Sequence, residues 1–381
     1  MSDSSGRRPR LLYLLTDQLS SVLVRGQLGF MIEQGFDVEV AVGGEVRADA
    51  WDQGVSVSSV PLVRQPSPLR DLRALWAIVA LIRRSRPDVV NASTPKAGLL
   101  GMVAAFVCRV PVRVYVVRGY RFEGLHGPGR WLAIAVERVT SACATDVIVN
   151  SASLRAVGWT SGALARSRGV VLAAGSGNGV DIERFSPASD STTGEARQQF
   201  GLPIDSTVVG FVGRLVRDKG IVDLVDVFSD RFGDVDDVWL LLVGSFEDAD
   251  RVPPETRRAI ESHARTVVVP WMDRPETAYA AMDVLVFPSF REGLPNAPLE
   301  AQASGVPVVG YAATGTVDAV PSEWLVAVGD CNSLGALLAT LVNEPTRRRD
   351  VAAAQRSRVG QRFEQSRLWA ALAGRYGMRT A

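Results

Sequence analysis

The chain has 381 residues, 47% of them hydrophobic and 22% charged, the composition of a globular protein rather than a disordered or fibrous one. Single cores stop growing at about 250 to 300 residues, so two domains are expected. The longest apolar run, residues 97–108, ends at Arg109 and is shorter than the ~18 residues needed to cross a bilayer, which argues against an integral membrane protein.

Net charge is only +1, but residues 1–186 hold 22 Lys and Arg against 15 Asp and Glu, and the remainder holds 20 against 26. This balance gives little support to nucleic-acid binding. A basic half is compatible with an anionic substrate or an anionic membrane surface, and the segment 72–86, LRALWAIVALIRRSR, joins apolar and cationic side chains in a way that suits peripheral association. The same segment also reads as a core helix with a basic end. Cys108, Cys143 and Cys331 show no CxxC spacing, so neither a disulfide framework nor a zinc site is expected, and a reducing cytoplasm fits. Of 42 basic residues only Lys96 and Lys219 are lysine. In a chain so biased towards arginine, a retained lysine marks a position where a compact ammonium is wanted.

In chain order, the Ser- and Arg-rich start, residues 1–10, reads as disordered. LLYLLT follows, but Asp17 and Gln18 interrupt it and no small-residue cleavage site comes after, so a first strand is expected rather than a signal peptide. Short Val, Leu and Ile runs predict strands at 10–15, 37–42, 55–61, 88–92, 112–117 and 146–150, with helical segments between them. A Ser-, Asp-, Thr- and Gly-rich loop at 186–194 precedes a second series at 208–212, 239–243, 267–269, 284–287, 306–310 and 325–328, and residues 346–374 read as helix. The pattern predicts an α/β protein of two doubly wound, Rossmann-like domains, 1–186 and 187–364, facing a cleft. A terminal helix, about 365–381, packs back on the first. Open parallel sheets bind ligands beyond the carboxyl ends of their strands.

Two loops carry the chemistry. In VFPSFREGLPNAPLEAQASGVPVV, residues 286–309, Glu292 stands in the turn after a buried strand and Glu300 lies about one and a half turns into the next helix. Backbone amides of Gly293, Leu294 and Asn296 at that helix start suit a diphosphate. In VVGFVGRLVRDKGIVDLVDVF, residues 208–228, a strand leads into a loop with Arg214, Arg217 and Lys219, cations able to neutralise a leaving diphosphate at the same sheet edge. Taken singly, each loop would also pass for solvated surface charge. The Asp-x-Asp pairs at 234–236 and 248–250 lie in charged connections and make poor metal sites. GSGNGV at 175–180 precedes no helix, so a dinucleotide fingerprint is missing.

Together these loops resemble family 4 of the GT-B glycosyltransferases, whose members carry a Gly-Arg, spacer, Lys-Gly loop and a Glu, seven residues, Glu motif. The resemblance implies a retaining transferase using a nucleotide sugar, a UDP-hexose or UDP-N-acetylhexosamine, with no metal and no other cofactor. It implies that Glu292, Arg214 and Lys219 act in catalysis. It places Gly213, Arg214, Lys219, Met272, Glu292, Gly293, Leu294, Pro295, Asn296 and Glu300 around the donor, with Glu292 on the transferred sugar, Glu300 on the ribose and the base near residues 269–272. STPKAGLLGMVAAF (93–106), VYVVRGYRFEG (114–124) and GSGNGVDIERFSP (175–187) resemble the capsular-polysaccharide and lipid-linked-oligosaccharide members. Those act on polyprenyl-diphosphate-linked acceptors at the cytoplasmic face of the membrane, and by this likeness Lys96, Arg118 and His126 are acceptor-side candidates. Two departures stand out: the first loop is TDQLSS rather than Gly-rich, and Arg118 precedes Gly119 where many members have His-Gly. A soluble natural-product acceptor, a UDP-N-acetylhexosamine 2-epimerase and a non-catalytic sugar-binding subunit are the competing readings.

Overall fold

A computed structural model describes residues 7–377 apart from 45, 47–49, 66 and 176. Most of the start expected to be disordered lies outside the described residues. From Arg7 on it is engaged: Arg7 pairs with Asp88 at 2.9 Å and Arg10 opens the first strand. Contacts divide the chain into two units, Met1–Gly179 with Gln365–Ala381, and Val180–Glu364.

The first unit holds six parallel strands, β1 (Arg10–Leu15), β2 (Asp37–Gly43), β3 (Ser56–Val60), β4 (Val89–Ala92), β5 (Val112–Val117) and β6 (Asp146–Val149), in the order β3-β2-β1-β4-β5-β6. Between them run α1 (Gln27–Glu33), α2 (Pro68–Ser85), α3 (Pro95–Val107) and α4 (Gly127–Cys143), and α5 (Ala152–Thr160) follows β6. Successive strand residues point to opposite faces. Leu12, Leu14, Val90, Tyr115 and Val117 therefore meet α2, α3 and α4, which lie side by side, while Leu11, Tyr13, Val89, Val114 and Val116 form the other core. Both faces are covered, which is why inner strands such as β1 and β4 are buried along nearly their whole length, whereas edge strand β3, SVSSV, is largely uncovered.

The second unit repeats the plan: α6 (Asp190–Gln199), β7 (Thr207–Val212), α7 (Ile221–Phe232), β8 (Val238–Val243), α8 (Pro254–Ser262), β9 (Thr266–Val269), α9 (Glu276–Ala281), β10 (Val284–Phe287), α10 (Asn296–Ala303), β11 (Val308–Tyr311), α11 (Thr316–Ala319), β12 (Leu325–Val326), α12 (Cys331–Asn343) and α13 (Pro345–Arg362). All six strands are parallel, in the order β12-β11-β10-β7-β8-β9. The last helix, α14 (Gln365–Gly377), returns to the first unit and supplies Leu368, Leu372 and Tyr376 to the core on the α1 side. There Tyr376 Oη meets Tyr13 Oη at 2.9 Å and accepts from Asn91 Nδ2 at 2.5 Å.

Three expectations need correcting. The polar stretch 186–194 is not all loop, because α6 starts at Asp190 with Ser189 Oγ accepting from the Thr192 amide at 3.2 Å. This helix has almost no apolar stripe to betray it. The single terminal helix is two, since Phe363 is buried between α13 and α14 and its carbonyl accepts from the Val180 amide at 2.8 Å. The change of unit falls at Gly179, ahead of 186: Arg184 pairs with Glu276 at 2.9 Å and Phe185 packs edge-on against Tyr279, all within the second unit.

Candidate active site

In a doubly wound sheet the connections leaving the two central strands turn to opposite sides and open a crevice at their carboxyl ends. In the second unit those strands are β7 and β10. The loops that follow them hold the cations and the first glutamate singled out from the sequence.

The loop after β7 is fixed by close backbone approach. A Cβ on Gly244, which follows β8, would fall 1.8 Å from the Gly213 carbonyl, so only glycine lets the two loops leave together, joined by Leu215 N to Ser245 O at 2.9 Å. Leu215 and Val216 are buried and anchor the loop, and residues 217–219 form one 3-10 turn. Gly220 ends that turn with φ 72°, and a Cβ there would lie 2.0 Å from Pro288 O at the end of β10. Lys219 is thus pressed against the loop after β10. Asp218 completes the junction, receiving Arg291 Nε at 2.8 Å and the Phe290 amide on its carbonyl at 3.0 Å.

Across this junction Lys219 Nζ donates to Glu292 Oε1, which also accepts from Ser289 Oγ at 2.9 Å. Both partners of the ion pair are mostly buried, with side chains 16% and 14% exposed. The Glu292 amide donates to Thr314 O at 3.0 Å, so the turn is braced from β11 as well. Gly293, Leu294 and Pro295 are buried, Asn296 is exposed, and α10 begins there without a side-chain cap. Four residues on, half-buried Glu300 accepts from Tyr279 Oη at 2.9 Å. Burial, and next the Glu300 charge, hold the Tyr279 hydroxyl well above the usual phenol range, so it stays a donor.

Arg214 stands slightly apart. It is exposed, and Nη1 donates to Glu247 Oε2 at 2.8 Å rather than touching Lys219 or Glu292. Met272 lies half-buried in the loop after β9. Three groups therefore line one sheet edge: Lys219 with Glu292, Arg214 with Glu247, and Glu300 with Tyr279. Sequence reasoning missed Glu247, Ser289 and Tyr279, which hold the functional candidates in place. None carried a local signal: Tyr279, in ETAYAAMDVLVF, reads as a core residue.

The Asp-x-Asp pairs are engaged elsewhere. Asp236 binds Arg265 at 2.9 Å, Asp248 binds Arg251 at 2.9 Å, and Asp250 Oδ2 accepts from the Asp218 amide at 2.8 Å, steadying the lysine turn. Among the described residues no three His, Cys, Asp or Glu side chains gather as a metal site would require.

In the first unit the equivalent central strands are β1 and β4, and their loops meet through Thr16 Oγ1 and Thr94 Oγ1 at 2.6 Å. Lys96, near the start of α3, donates to Asp71 Oδ1 at 2.7 Å and to Gln65 O, tying α3 to the first turn of α2. Arg118, after β5, donates through Nη2 to Leu23 O at 3.1 Å and Gly177 O at 3.4 Å, and its Nε is buried without a partner. Burial lowers its guanidinium to about 10. His126 is exposed just before α4. These three share no contact with one another.

The chain is similar to known glycosyltransferases. Residues 206–344 match the model described as "Glycosyl transferases group 1", and residues 23–174 match the "Glycosyl transferase 4-like domain". The capsular polysaccharide biosynthesis glycosyltransferase CapM of Staphylococcus aureus is 30% identical over 97% of each chain. An Escherichia coli UDP-Gal:alpha-D-GlcNAc-diphosphoundecaprenol alpha-1,3-galactosyltransferase is 25% identical over 77% of this chain and 76% of its own. Among solved structures, Anabaena Alr3699/HepE in complex with UDP superposes with a TM-score of 0.78 at 21% identity, covering 97% of this chain and all of the other, and so shares the GT-B fold. Both halves of the chain match glycosyltransferase models and nearly its whole length aligns with one such enzyme, so the chain belongs to the group 1, family 4-like glycosyltransferases of the GT-B fold.

Proposed function

We propose that this glycosyltransferase moves a hexose or N-acetylhexosamine from a UDP-sugar, with retention, onto a polyprenyl-diphosphate-linked or related glycan acceptor in cell-surface polysaccharide synthesis. The observation that carries the reading is the Lys219–Glu292 pair at the central crevice of the second sheet. Before substrate binds, the ammonium is neutralised by a carboxylate. An incoming diphosphate competes for Lys219 and leaves Glu292 to the hydroxyls of the sugar. Arg214 approaches from the same loop as Lys219, the start of α10 offers backbone amides, and Glu300, oriented by Tyr279, receives the ribose hydroxyls.

Retention then needs no protein nucleophile. The bond from the anomeric carbon to the diphosphate oxygen breaks, that oxygen takes the proton of the acceptor hydroxyl, and the new glycosidic bond forms on the face just vacated. The protein contributes position and fixed positive charge. Because that charge is proteinaceous, transfer should proceed without a divalent metal. The names of the S. aureus and E. coli relatives support a surface-glycan product and, for the latter, a UDP donor and a diphosphoundecaprenol acceptor. A GDP-mannose-dependent alpha-mannosyltransferase of Corynebacterium glutamicum is 28% identical over 70% of the chain, so GDP-sugars belong in any screen.

The test is mass spectrometry of reactions with UDP- and GDP-sugars, with and without a lipid diphosphate acceptor, and with a chelator. Acceptor-dependent UDP release, an anomeric configuration matching the donor and indifference to chelation are expected. Donor turnover without acceptor would point to epimerisation, and loss on chelation restored by magnesium or manganese would overturn the metal-free mechanism.

A further inference from the structure

Two helices of the first unit carry large apolar side chains that the unit leaves uncovered. On α2, Leu69, Leu72 and Trp76 are 85%, 54% and 63% exposed. Spaced by three and four residues, they share one helix face, while Ala74, Ile78, Leu81 and Ile82 of the same helix are buried in the core. On α4, Trp131 and Leu132 are 66% and 67% exposed. Because α3 packs between α2 and α4, both groups lie on the same side of the sheet. Each helix runs back from a strand's carboxyl end, and both groups fall in its first half, so both lie towards the carboxyl edge.

A single exposed leucine needs no explanation, whereas clustered indoles and leucines on helices whose core faces are already complete do. The surrounding charge narrows the choice of partner. Arg70 and Arg73 are exposed beside Trp76, and Arg138, one heptad after Trp131, is exposed on α4 with its Nε on the Gly162 carbonyl. The one carboxylate of α2, Asp71, is held by Lys96 at 2.7 Å, and that of α4, Glu137, is buried under the Tyr115 hydroxyl. This face therefore offers indoles, leucines and arginines without a free carboxylate.

We propose that this face of the first unit, centred on Trp76 and Trp131, docks on the interface of an anionic lipid bilayer. Tryptophan rings settle at headgroup depth, leucines enter the acyl boundary, and arginine stems lie along the apolar surface with their charges on the lipid phosphates. The sequence pointed to residues 72–86. The structure moves the contact to the first half of α2, because Leu81 and Ile82 belong to the core, and adds α4. Lys96, Arg118 and His126 lie at the same carboxyl edge, where a bilayer-borne substrate would arrive. That last link rests on the proposed function; the docking itself rests only on exposure and charge.

The experiment is vesicle flotation of the full chain, without donor or acceptor, on phosphatidylcholine with and without phosphatidylglycerol. Binding should require the anionic lipid and weaken with salt. Trp76→Ser with Trp131→Ser should lower partitioning by at least ~10-fold, and Arg70→Gln with Arg73→Gln by about tenfold at low salt. Trp271→Ser, at an equally exposed tryptophan of the second unit, should change nothing, and all variants should keep the parent melting temperature. Equal binding to both vesicles, or an equal loss in Trp271→Ser, overturns the proposal. So does a dimer, seen by light scattering, that the Trp76 and Trp131 substitutions dissolve without altering flotation, because the face would then belong to a second copy of the chain. No sugar transfer is measured, so failure here leaves the transferase reading untouched, and failed transfer from a vesicle-bound enzyme would sink only that reading.

Discussion

Lys219→Arg is the substitution this chain's composition favours at nearly every other basic position, and the structure argues against it here. The residue sits between buried Val216 and Gly220, whose φ of 72° and missing Cβ seat the turn against Pro288 O. Its backbone is therefore held from both sides. Its ammonium ends on Glu292 Oε1, an atom already shared with Ser289 Oγ at 2.9 Å, and the pair has little open space around it. A guanidinium is longer, planar and bidentate, so it must push the carboxylate away or swing outward. A displacement of ~1 Å at a reacting centre can cost ~100-fold in rate. We expect kcat to fall at least ~10-fold, about 1.4 kcal/mol of barrier. The melting temperature should move by no more than about 2 °C, because an ion pair survives. The assay is UDP release at saturating donor and acceptor. Full activity in Lys219→Arg would remove the ammonium from the diphosphate site and refute the argument.

Glu300→Gln keeps an acceptor for Tyr279 Oη while removing the charge offered to the ribose; calorimetry should show UDP binding weakened by about tenfold with the fold intact, and unaltered binding would contradict the assignment. Gly220→Ala would place a methyl 2.0 Å from Pro288 O at a positive φ, so chemical denaturation should show a loss of about 2 kcal/mol or more, and a neutral result would mean the junction of the two loops is not fixed as described. Burial raises the Glu137 carboxyl from its ordinary 4.5 to about 7. A raised acid binds more protons in the folded than the unfolded state, so it weakens the fold progressively as pH rises from about 4.5 to about 7 and by a constant amount above that. Glu137→Gln, which keeps an oxygen for the Tyr115 hydroxyl, should therefore stabilise the first unit at pH 8 by about 2 kcal/mol and make no difference near pH 4. An equal effect at both pH values would assign the change to packing.

Much of the fold was legible because both sheets are buried on two faces, so inner strands such as β1 and β10 appear as short apolar runs between helical segments. Val112–Val117 and Val284–Phe287 were read with their observed limits. Errors fell where apolar patterning carries no information: α6 is polar on nearly every side, and the break between α13 and α14 turns on one buried side chain, Phe363. At the candidate site, glycines and charges marked the loops, but two of the groups that orient them lie far away in sequence. Glu247 reaches Arg214 from the loop after β8, and Tyr279 reaches Glu300 from α9. Nothing local distinguishes that tyrosine from a core residue.

The two lysines show how far a compositional argument extends. Each is retained in an arginine-rich chain, and each proves to be a mostly buried ammonium bonded to a carboxylate, Lys96 to Asp71 and Lys219 to Glu292. A compact cation fits both positions, and Lys219→Arg tests whether one is required. Retention of lysine does not separate function from structure. Nor does topology, since Lys96 also follows a central strand, β4; it joins the first turns of two neighbouring helices and donates to the Gln65 carbonyl. Lys219 lies between the loops of the two central strands of its own sheet, where an open parallel sheet places its ligands, and under the proposed function an incoming diphosphate competes with its carboxylate partner. The same pairing thus ties two helices together beside a central strand of the first sheet and joins two loops beside the central strands of the second, and the partners, not the strands left, tell the two apart.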